Sequence, residues 1–558
     1  MKLLISAAVS LVLVGAASAQ TLDDLKNDPK NTENILTYGM GYSQHRFSTL
    51  KQIDKTTVKR LVPVWSLSLD NQWGEQAQPI IYNGVMYVTN AKATVAIDVE
   101  TGKQIWKTPV DWLPETPRVV CCGVSNKGAA IYNGKVFRTT LDAFVVALDA
   151  KTGKEVWKEK VAEWRDGYSE TVAPLVADGV LITGISGAEY GIRGFIDGWD
   201  TETGKHLWRR YTIPARGEPG NETWPQDTNA WEAGGGSAWI TGSFDPELDL
   251  TYWGIGNPAP WASQSRPGDN LYTSSVLALR PKTGAIAWHY QFTPNDAYDY
   301  DSCWELIIAD RVINGVNRKV VMQLNRNGFV YVLDRTNGGL ISAKPYEKIT
   351  WASQVDPETG RPVETDAAKK LRAGGEAIEH WPSTRGGKNW PHAAYNPETG
   401  LLYANTLHEG RLYKHLPTEP YAKGQRYMFI ENLPLPRQPG EPVGHVDAID
   451  PMTGQQKWRV PLTDVQNWSA MLATASGLLF TGRETGEFQA LDADTGKTLW
   501  SFQTSSGVNA QPVTYTHNGR QYVTVLSGIG GLYWNIAKEQ LKNVPPGGSV
   551  WTFALMPD

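Results

Sequence analysis

The chain has 558 residues, with 53 Lys and Arg against 58 Asp and Glu, so its formal net charge is −5 and it has no global basic field to hold nucleic acid or an anionic membrane. With 41% hydrophobic and 20% charged residues, it is an ordinary globular chain with ample length for a large core. Its 54 Gly, 34 Pro, 23 Trp and 23 Tyr combine turn formers with strand-favouring aromatics, which favours all-β structure over a helical bundle.

The first residues have the pattern of a secretory signal peptide. Lys2 precedes an apolar run from Leu3 to Val14, and the small residues of a cleavage site follow at Ala17 to Ala19. The run is about a dozen residues, too short to cross about 30 Å of hydrocarbon, so a membrane anchor is the weaker alternative. We therefore predict a signal peptide at residues 1–19 and a mature periplasmic protein in an oxidising compartment, without stable membrane insertion.

One short pattern occurs six times: an apolar pair, then Asp or Arg, then Thr-Gly, with Trp eight residues after the Asp or Arg. The copies are Ala96–Trp106, Ala147–Trp157, Gly198–Trp208, Ala278–Trp288, Ala448–Trp458 and Ala490–Trp500. A seventh copy keeps Asp334 and Gly338 but has Ser342 at the Trp position. We interpret each copy as a β-hairpin whose Asp binds the turn backbone, whose Gly supplies a positive φ and whose Trp packs on the next repeat.

The spacing of the repeats predicts the architecture. The Asp or Arg positions are 51, 51, 80, 54, 116 and 42 residues apart, near the length of a four-stranded propeller blade. The gap of 116 residues has room for one unmarked blade around Tyr395 to Gly400, which brings the predicted number of blades to eight. We expect the strand near Val64-Trp65 to pair with the strand Val550 to Leu555 and close the ring.

The predicted fold class is therefore all-β: one eight-bladed β-propeller domain with Trp-docking repeats, spanning residues 20–558. Two separate β-sandwich domains are the alternative. Irregular stretches at residues 350–391 and 409–445 interrupt the repeats, and loops of this length are either functional lids and mouths or surface decoration.

Adjacent Cys121 and Cys122 are the first candidates for chemistry. Bonded together they would form a strained eight-membered ring, which is rigid, flat and apolar and could serve as a floor for a planar ligand. The alternative is two buried free thiols. We predict the bond between them, with Cys303 left free, from their adjacency and the predicted export of the chain.

Oxygen ligands suggest a hard cation. The nine His are scattered, and no HExxH or CxxC pattern occurs, which disfavours zinc, iron–sulfur clusters and covalently attached haem. Glu189, Asn257, Asp299 and Asp301 each follow an apolar strand at a loop. Asp299 and Asp301, separated by one residue, project to the same side of an extended chain and can face one ion. Taken singly, each is more often a solvated loop carboxylate.

The motifs CCGVSNKG, SGAE, GGGSAW, GNPAPW, NDAYDYD and NRNG, in this order within the Trp repeats, closely resemble the pyrroloquinoline quinone (PQQ)-dependent alcohol dehydrogenases. The resemblance implies that Cys121 and Cys122 form a vicinal disulfide on one face of PQQ and that Trp239 stacks on the other. It implies further cofactor contacts from Glu75, Lys127, Thr171, Ser186, Gly187, Ala188, Arg326, Asn389 and Trp390. It assigns the metal ion to Glu189, Asn257, Asp299 and Asp301, with Asp299 as the catalytic base.

The chain also departs from this family. Lys127 stands where members typically have Arg, and it offers a cofactor carboxylate a point charge rather than a planar fork. Ser302, Cys303 and Trp304 replace the usual Gly-Val/Ile-Asn, so the substrate assignment is weaker. Asp301 resembles the additional carboxylate of lanthanide-dependent members, and a further negative ligand favours a trivalent ion over Ca²⁺.

The resemblance implies a periplasmic enzyme that oxidises primary or secondary alcohols and passes electrons from PQQ to a soluble cytochrome c. The metal ion is Ca²⁺ or a lanthanide such as La³⁺ or Ce³⁺. The aromatic and apolar residues of the second irregular stretch favour alcohols larger than methanol. A non-enzymatic propeller scaffold of the outer-membrane assembly type is the alternative, and the sequence leaves a homodimer open.

Overall fold

The computed structural model describes residues 19–557, so the predicted signal peptide lies outside the described residues except for Ala19. The α-helices in this range are short: Leu22–Lys26, Asp366–Ala373 and Gly531–Ile536. Single 3₁₀ turns occupy Asp28–Lys30, Val58–Arg60, Thr116–Val119, Trp164–Asp166, Ala188–Tyr190, Asn221–Thr223, Ala230–Ala233 and Ser263–Ser265. Almost all other regular structure is β, which confirms the predicted all-β class. No helix within residues 19–557 is long and apolar enough to span a membrane.

Most strands of the described range belong to sheets of four antiparallel strands, which we number in chain order. Sheet 1 contains Ile80–Tyr82, Val85–Thr89, Ala93–Asp98 and Gln104–Pro109. Sheet 2 contains Ala130–Tyr132, Lys135–Thr139, Phe144–Asp149 and Glu155–Lys160. Sheet 3 contains Leu175–Ala177, Val180–Gly184, Phe195–Asp200 and His206–Tyr211. Sheet 4 contains Ser243–Asp245, Leu250–Gly254, Ser275–Leu279 and Ile286–Gln291.

The second half of the chain continues the series. Sheet 5 contains Ile307–Ile313, Val316–Leu324, Phe329–Asp334 and Leu340–Pro345. Sheet 6 contains Ala394–Asn396, Leu401–Leu407, Gly444–Ile449 and Gln456–Leu462. Sheet 7 contains Met471–Thr474, Leu478–Gly482, Glu487–Asp492 and Thr498–Gln503, with Phe47–Ser48 added in parallel at its edge. Sheet 8 contains Val513–His517, Arg520–Ser527, Ser549–Leu555 and, from the N-terminal part of the chain, Leu61–Ser68.

The repeated motif forms the last hairpin of sheets 1 to 7, as predicted. In sheet 1, Oδ1 of Asp98 accepts the main-chain N–H groups of Glu100 and Thr101 at 3.1 and 2.8 Å. Gly102 follows with φ 69°, a conformation that suits glycine. The Asp carboxylate thus fixes the turn, and the Gly lets the returning strand begin immediately.

The Trp of each motif docks on the following sheet. Its indole N–H donates to a main-chain carbonyl in the turn of that sheet, or at the N-terminal strand for the last contact. These pairs are Trp106 to Ala150, Trp157 to Thr201, Trp208 to Pro281, Trp288 to Arg335, Trp458 to Ala493 and Trp500 to Leu61. Trp65, which lies outside the repeats in the N-terminal strand of sheet 8, makes the same contact with the carbonyl of Val99 in sheet 1. Ser342, which replaces Trp, keeps the link with its hydroxyl, 3.1 Å from the carbonyl of Met452. These contacts connect each sheet to its neighbour in sequence.

The N-terminal and C-terminal strands of the chain pair with each other, as predicted. Leu61–Ser68 pairs antiparallel with Ser549–Leu555, with Trp65 opposite Thr552 and Leu67 opposite Val550. The pairing covers an edge that each terminal strand would otherwise leave exposed.

The prediction of a separate unmarked blade around Tyr395 to Gly400 is wrong. The strands on either side of this turn, Ala394–Asn396 and Leu401–Leu407, are the first two strands of sheet 6, whose last hairpin is the Ala448–Trp458 repeat. The sheet without a repeat motif is instead sheet 8, which combines both ends of the chain. The 116-residue gap arises because extra segments are inserted before and within sheet 6.

The two irregular stretches are more ordered than the sequence indicated. The first contains the hairpin Ala352–Val355 and Pro362–Glu364 and the helix Asp366–Ala373. A small accessory sheet then joins the stretches, because Ile378–His380 from the first pairs with Arg411–His415, which pairs with Ile430–Pro434 from the second. This accessory sheet supplies one wall of the cavity described next.

Candidate active site

A cavity of about 440 Å³ gathers residues from distant parts of the chain. Of the predicted site residues, the following line it: Cys121, Cys122, Lys127, Thr171, Ser186, Gly187, Glu189, Trp239, Asp299, Asp301, Arg326, Asn389 and Trp390. Most of these positions come from loops that connect consecutive sheets, whereas Ser186, Gly187 and Glu189 lie in a loop within sheet 3 and Arg326 in a loop within sheet 5. Loops of several sheets therefore converge on one place, as the sequence motifs had indicated.

Cys121 and Cys122 are bonded to each other, and their Cα atoms are 3.8 Å apart. Cys122 has φ 68°, a left-handed conformation within the turn that carries the pair. Cys303 is the free, buried cysteine of the described range, and its thiol lies 3.4 Å from the carbonyl of Ser237. The predicted vicinal disulfide and free Cys303 are both confirmed, and the disulfide presents a rigid apolar surface to the cavity.

Lys127 is a buried cation at the same end of the cavity. Its Nζ lies 5.1 and 5.0 Å from the ring centres of Trp239 and Trp390, and it donates a hydrogen bond of 3.2 Å to Oε1 of Gln76. Burial lowers the pKa of Lys127 from its usual 10.5 to about 7. Because no carboxylate of the described residues is paired with it, Lys127 is suited to an anionic group of a bound molecule.

Arg326 holds the two predicted metal-binding aspartates together. Its Nη2 donates to Oδ2 of Asp299 at 2.7 Å, and its Nη1 donates to Oδ2 of Asp301 at 2.8 Å. A third hydrogen bond, from Nε to the carbonyl of Thr384, fixes the guanidinium. Asp299 and Asp301 therefore face the same side, as their spacing predicted, and the protein group between them is a cation.

The same cluster contains carboxylates that the interior disfavours in their charged form. Burial raises the pKa of Asp299 well above its usual range, although Arg326 opposes the shift. Burial also raises the pKa of Glu189 to about 7, and the charge of Asp301 adds to the rise. Three interacting carboxylates beside one guanidinium leave an excess of negative charge, which a bound cation would relieve.

Asn257 connects to this cluster through its backbone. Its N–H donates to Oδ1 of Asp301 at 2.8 Å, and its side-chain Nδ2 donates to the carbonyl of Pro258. The remaining oxygen, Oδ1 of Asn257, is buried without a hydrogen-bond partner, and so is Oδ1 of Asp299. Buried polar atoms are normally satisfied, so these two oxygens indicate a missing partner.

The residues therefore fit both groups that the sequence resemblance implied. Unpartnered carboxylate and amide oxygens are the ligands of a hard cation such as Ca²⁺ or a lanthanide. The disulfide, the indole of Trp239 and the cation of Lys127 suit a flat, anionic cofactor. Within residues 19–557 no three His, Cys, Asp or Glu side chains already form a compact cage, because Arg326 stands between Asp299 and Asp301.

Three predicted residues do not line the cavity: Glu75, Ala188 and Asn257. Oε1 of Glu75 accepts hydrogen bonds from Asn71 and Asn90, and its neighbour Gln76 is the residue that lines the cavity. Ala188 begins the 3₁₀ turn Ala188–Tyr190, which carries Glu189. Asn257 stays attached to the site through Asp301.

Sequence reasoning missed a second part of the cavity wall. One part contains Trp468, which stacks on Tyr533 with ring centres 5.1 Å apart, and Leu532 and Ile536 of the helix Gly531–Ile536. This helix begins beside the disulfide, because a Cβ at Gly531 would lie 3.6 Å from the carbonyl oxygen of Cys122. Trp261, Thr384, Arg385, Arg411, Arg426, Met428, Ile430 and Asn432 form another part. Most of the latter lie in the two irregular stretches, where no repeat pattern marked them.

Comparisons with known proteins agree with this site. A family model described as PQQ, glucose/ethanol/alcohol dehydrogenase, β-propeller domain, matches residues 36–360 and 372–523. The quinoprotein alcohol dehydrogenase PedH of Pseudomonas putida is 41% identical over 98% of this chain and 95% of its own length. The quinoprotein ethanol dehydrogenase of Pseudomonas aeruginosa is 39% identical over 98% of this chain and 95% of its own length. Among solved structures, a europium-containing methanol dehydrogenase matches with a TM-score of 0.89 at 33% identity, covering 96% of this chain and 100% of that one.

Proposed function

The chain belongs to the PQQ-dependent alcohol dehydrogenases with a β-propeller domain and is thus an oxidoreductase that oxidises alcohols with PQQ and a metal ion, and we propose that it does so in the periplasm with a cytochrome c as electron acceptor. The substrates are primary or secondary alcohols, and the products are aldehydes or ketones. A non-enzymatic scaffold does not account for the cavity that the disulfide and the buried aspartates line.

The observation that supports the assignment of the site is the different hydrogen bonding of the two carboxylate oxygens of Asp299. One carboxylate oxygen is held by Arg326, and the other is buried in the cavity wall without a partner. We propose that this free Oδ1 accepts the proton of the substrate hydroxyl group as a general base. Arg326 keeps the carboxylate in place and favours its charged form.

The remaining residues bind and orient. When bound, PQQ supplies an electrophilic quinone that takes up two electrons, and the metal ion makes its carbonyl more electrophilic. We assign the two faces of the cofactor to the Cys121–Cys122 disulfide and Trp239. Its polar edge is assigned to Glu75, Lys127, Thr171, Ser186, Gly187, Ala188, Arg326, Asn389 and Trp390, and the metal ion to Glu189, Asn257, Asp299 and Asp301.

We propose that the electrons pass to a separate protein. The sequence contains no CxxCH motif for haem attachment, so electrons have no haem within this chain to reach. A soluble cytochrome c is the proposed acceptor, taking the electrons one at a time. The signal-peptide pattern of residues 1–19 and the vicinal disulfide, which an oxidising compartment maintains, support periplasmic export.

We also propose that residues 20–558 form one domain with eight blades, one for each of sheets 1 to 8. The docking contacts support this arrangement, because they run from Trp65 on sheet 8 to sheet 1, onward through sheets 2 to 7, and back to sheet 8 through Trp500 and Leu61. A series of neighbours that returns to its start is typical of a closed propeller.

The function is tested by reconstitution. Purified mature protein is stripped of metal, loaded with PQQ and either Ca²⁺ or La³⁺, and screened with a dye acceptor against methanol, longer primary alcohols, polyols and bulky secondary alcohols. We expect alcohol-dependent dye reduction that requires both PQQ and the metal ion. A protein that binds PQQ and metal but oxidises none of these alcohols would overturn the proposal.

A further inference from the structure

Three arginines line a part of the cavity that is formed by the second half of the chain. They are Arg385, Arg411 and Arg426, and all three belong to the two irregular stretches or the accessory sheet they form. None of them is a predicted cofactor or metal contact. Their number is notable because cations in a cavity wall either have protein partners or are available to a bound anion.

Arg385 and Arg411 share one carboxylate. Oε1 of Glu409 accepts hydrogen bonds from Nη1 of Arg385 at 3.1 Å and Nη2 of Arg411 at 2.8 Å, and Oε2 accepts from the hydroxyl of Ser383. All three charged side chains are about 15% exposed. Two guanidinium groups with one carboxylate leave one positive charge in excess at this wall.

Arg426 adds a second positive charge. It is exposed and forms no hydrogen bond or ion pair with any residue in the described part of the chain, yet the segment around it is fixed. The N–H of Tyr427 donates to the carbonyl of Glu189 at 2.7 Å, and the N–H of Ala262 donates to the carbonyl of Met428. The charge of Arg426 is close enough to Glu189 to oppose the rise in the pKa of that carboxyl.

The surroundings of these arginines suit an elongated molecule with a polar end. Trp261, Met428 and Ile430 provide apolar contacts for a carbon chain. The proposed function places the reacting hydroxyl at Asp299, so the group that pairs with the arginines belongs to another part of the substrate.

We infer that the enzyme prefers alcohols that carry a carboxylate at the end remote from the reacting hydroxyl, and that Arg426 and the Arg385–Glu409–Arg411 group recognise this carboxylate. The inference rests on the proposed function and specifies its substrate class. Guanidinium groups bind carboxylates with paired, charge-assisted hydrogen bonds, which makes them selective for this group over a neutral hydroxyl.

The test compares two substrates of equal chain length, ω-hydroxyhexanoate and the corresponding neutral diol, on holoenzyme loaded with PQQ and its preferred metal. We expect the larger kcat/KM for the hydroxycarboxylate, with the advantage decreasing as salt is added. Hexanoate, which has no hydroxyl to oxidise, should inhibit oxidation of the diol competitively. This inhibition measures binding of the carboxylate independently of its turnover.

Variants assign the effect to Arg426. Arg426→Gln should lower the hydroxycarboxylate-to-diol ratio of kcat/KM by about threefold to fivefold, the size of a partly exposed ion pair, and weaken inhibition by hexanoate. Arg426→Lys should retain most of the ratio because it keeps the charge. Arg318→Gln is the matched control and should change neither value, because Arg318 is an exposed arginine in the strand Val316–Leu324 and does not line the cavity.

Oxidation of the diol with no preference for the hydroxycarboxylate and no inhibition by hexanoate would overturn the inference and leave the proposed function intact. An unchanged ratio in Arg426→Gln would overturn the role of Arg426. If neither substrate nor any other alcohol is oxidised, the proposed function itself fails.

Discussion

Nη2 of Arg326 lies 2.7 Å from Oδ2 of Asp299, while Oδ1 of the same carboxylate is buried with no partner. One oxygen is thus held in place, and the other is left for the two partners that we propose for it, the metal ion and the proton of the substrate hydroxyl. The hydrogen bond from Arg326 keeps the carboxylate in position for both.

Asp299→Asn should remove the base and keep the shape of the side chain. We expect turnover to fall by about 10²- to 10⁴-fold, the usual contribution of a general base. Binding of PQQ, followed by its absorbance, should persist because the disulfide and Trp239 are untouched. Full activity in a variant that retains PQQ and metal would show that another group is the base, and Glu189 would be tested next.

Asp301 should determine the response to lanthanides. In the site that we propose, Glu189, Asp299 and Asp301 would bring three carboxylates to the metal, a number that balances a trivalent ion better than Ca²⁺. Asp301→Ala should therefore weaken activation by La³⁺ more than activation by Ca²⁺ in apo-protein reconstituted with PQQ.

Asp301→Asn is the matched variant for this test. It removes the charge and retains one oxygen, which can accept from Arg326 or from the N–H of Asn257 but not from both, because Asp301 uses Oδ2 for the first bond and Oδ1 for the second. If both variants respond to the two ions as the unmodified protein does, Asp301 has no part in metal selection.

The lowered pKa of Lys127 leads us to expect that PQQ binding depends on pH. Burial lowers the pKa of Lys127 to about 7 in the cofactor-free protein, and a bound carboxylate would raise it. The bound state then holds the extra proton, so the full affinity is present below about pH 7 and is lost as pH rises through the higher pKa of the complex. Equilibrium dialysis of PQQ between pH 6 and 10 measures this, and about a tenfold loss per pH unit is the limiting slope for one proton.

Lys127→Met should abolish this part of the pH dependence, because methionine fills similar space without a charge. Lys127→Arg should keep high affinity at all these pH values, because arginine is protonated throughout. A wild-type affinity that does not vary across the window would contradict the assignment of Lys127 to a cofactor carboxylate.

The Cys121–Cys122 disulfide should contribute to the affinity for PQQ, because we propose that it contacts one face of the cofactor. Replacing both Cys121 and Cys122 by Ser should weaken PQQ binding several-fold, because the rigid apolar ring is replaced by two mobile hydroxyls. Cys303→Ser, which changes a buried thiol outside the disulfide, is the control and should lower PQQ affinity less. Equal losses in the two variants would deny the disulfide a specific role in binding.

The Trp-docking contacts predict that alanine substitutions at two turn glycines, Gly153 and Gly179, lower the stability of the protein by different amounts. A methyl group added at Gly153, where φ is 69°, would lie 2.5 Å from Cε3 of Trp106. Gly179 has a similar φ of 82° but no atom within 4 Å of the position a Cβ would take. Gly179→Ala should cost about 1–2 kcal/mol for the left-handed backbone alone. Gly153→Ala should cost about 1–3 kcal/mol more because the indole must shift.

Thermal unfolding of the two glycine variants, measured side by side, makes this comparison. A lower melting temperature for Gly153→Ala than for Gly179→Ala is expected. Equal melting temperatures would mean that Trp106 moves away at no cost and that docking contributes little.

The repeated hairpin could be predicted from the sequence because each copy contains all the residues that determine its turn and its docking contact. Asp98, Gly102 and Trp106 lie within one hairpin, and the Trp slot repeats with a fixed spacing. The partners of the first two strands of sheet 6 could not be assigned, since residues 409–443 separate Leu401–Leu407 from the hairpin it joins. A motif that marks only the end of a sheet does not show where that sheet begins.

The cofactor side of the site was predictable for a different reason. Cys121, Cys122 and Asp299 occur in short motifs that carry a family resemblance. Arg411 and Arg426 are marked by no motif or repeat, and only folding of the accessory sheet brings them to the cavity. The charge of a pocket depends on such long-range contacts, so the nature of the substrate was the part that sequence alone did not reach.

The central claim, that this chain oxidises alcohols at the Asp299 site with PQQ and a metal ion, is tested most directly by single-turnover reduction of bound PQQ. Metal-loaded holoenzyme without dye is mixed with an alcohol, and the absorbance of the bound quinone is followed in the unmodified protein and in Asp299→Asn. We predict rapid alcohol-dependent bleaching in the unmodified protein and slow bleaching in the variant at equal PQQ occupancy. Bleaching at the same rate in both, or none in either with PQQ fully bound, would contradict the account.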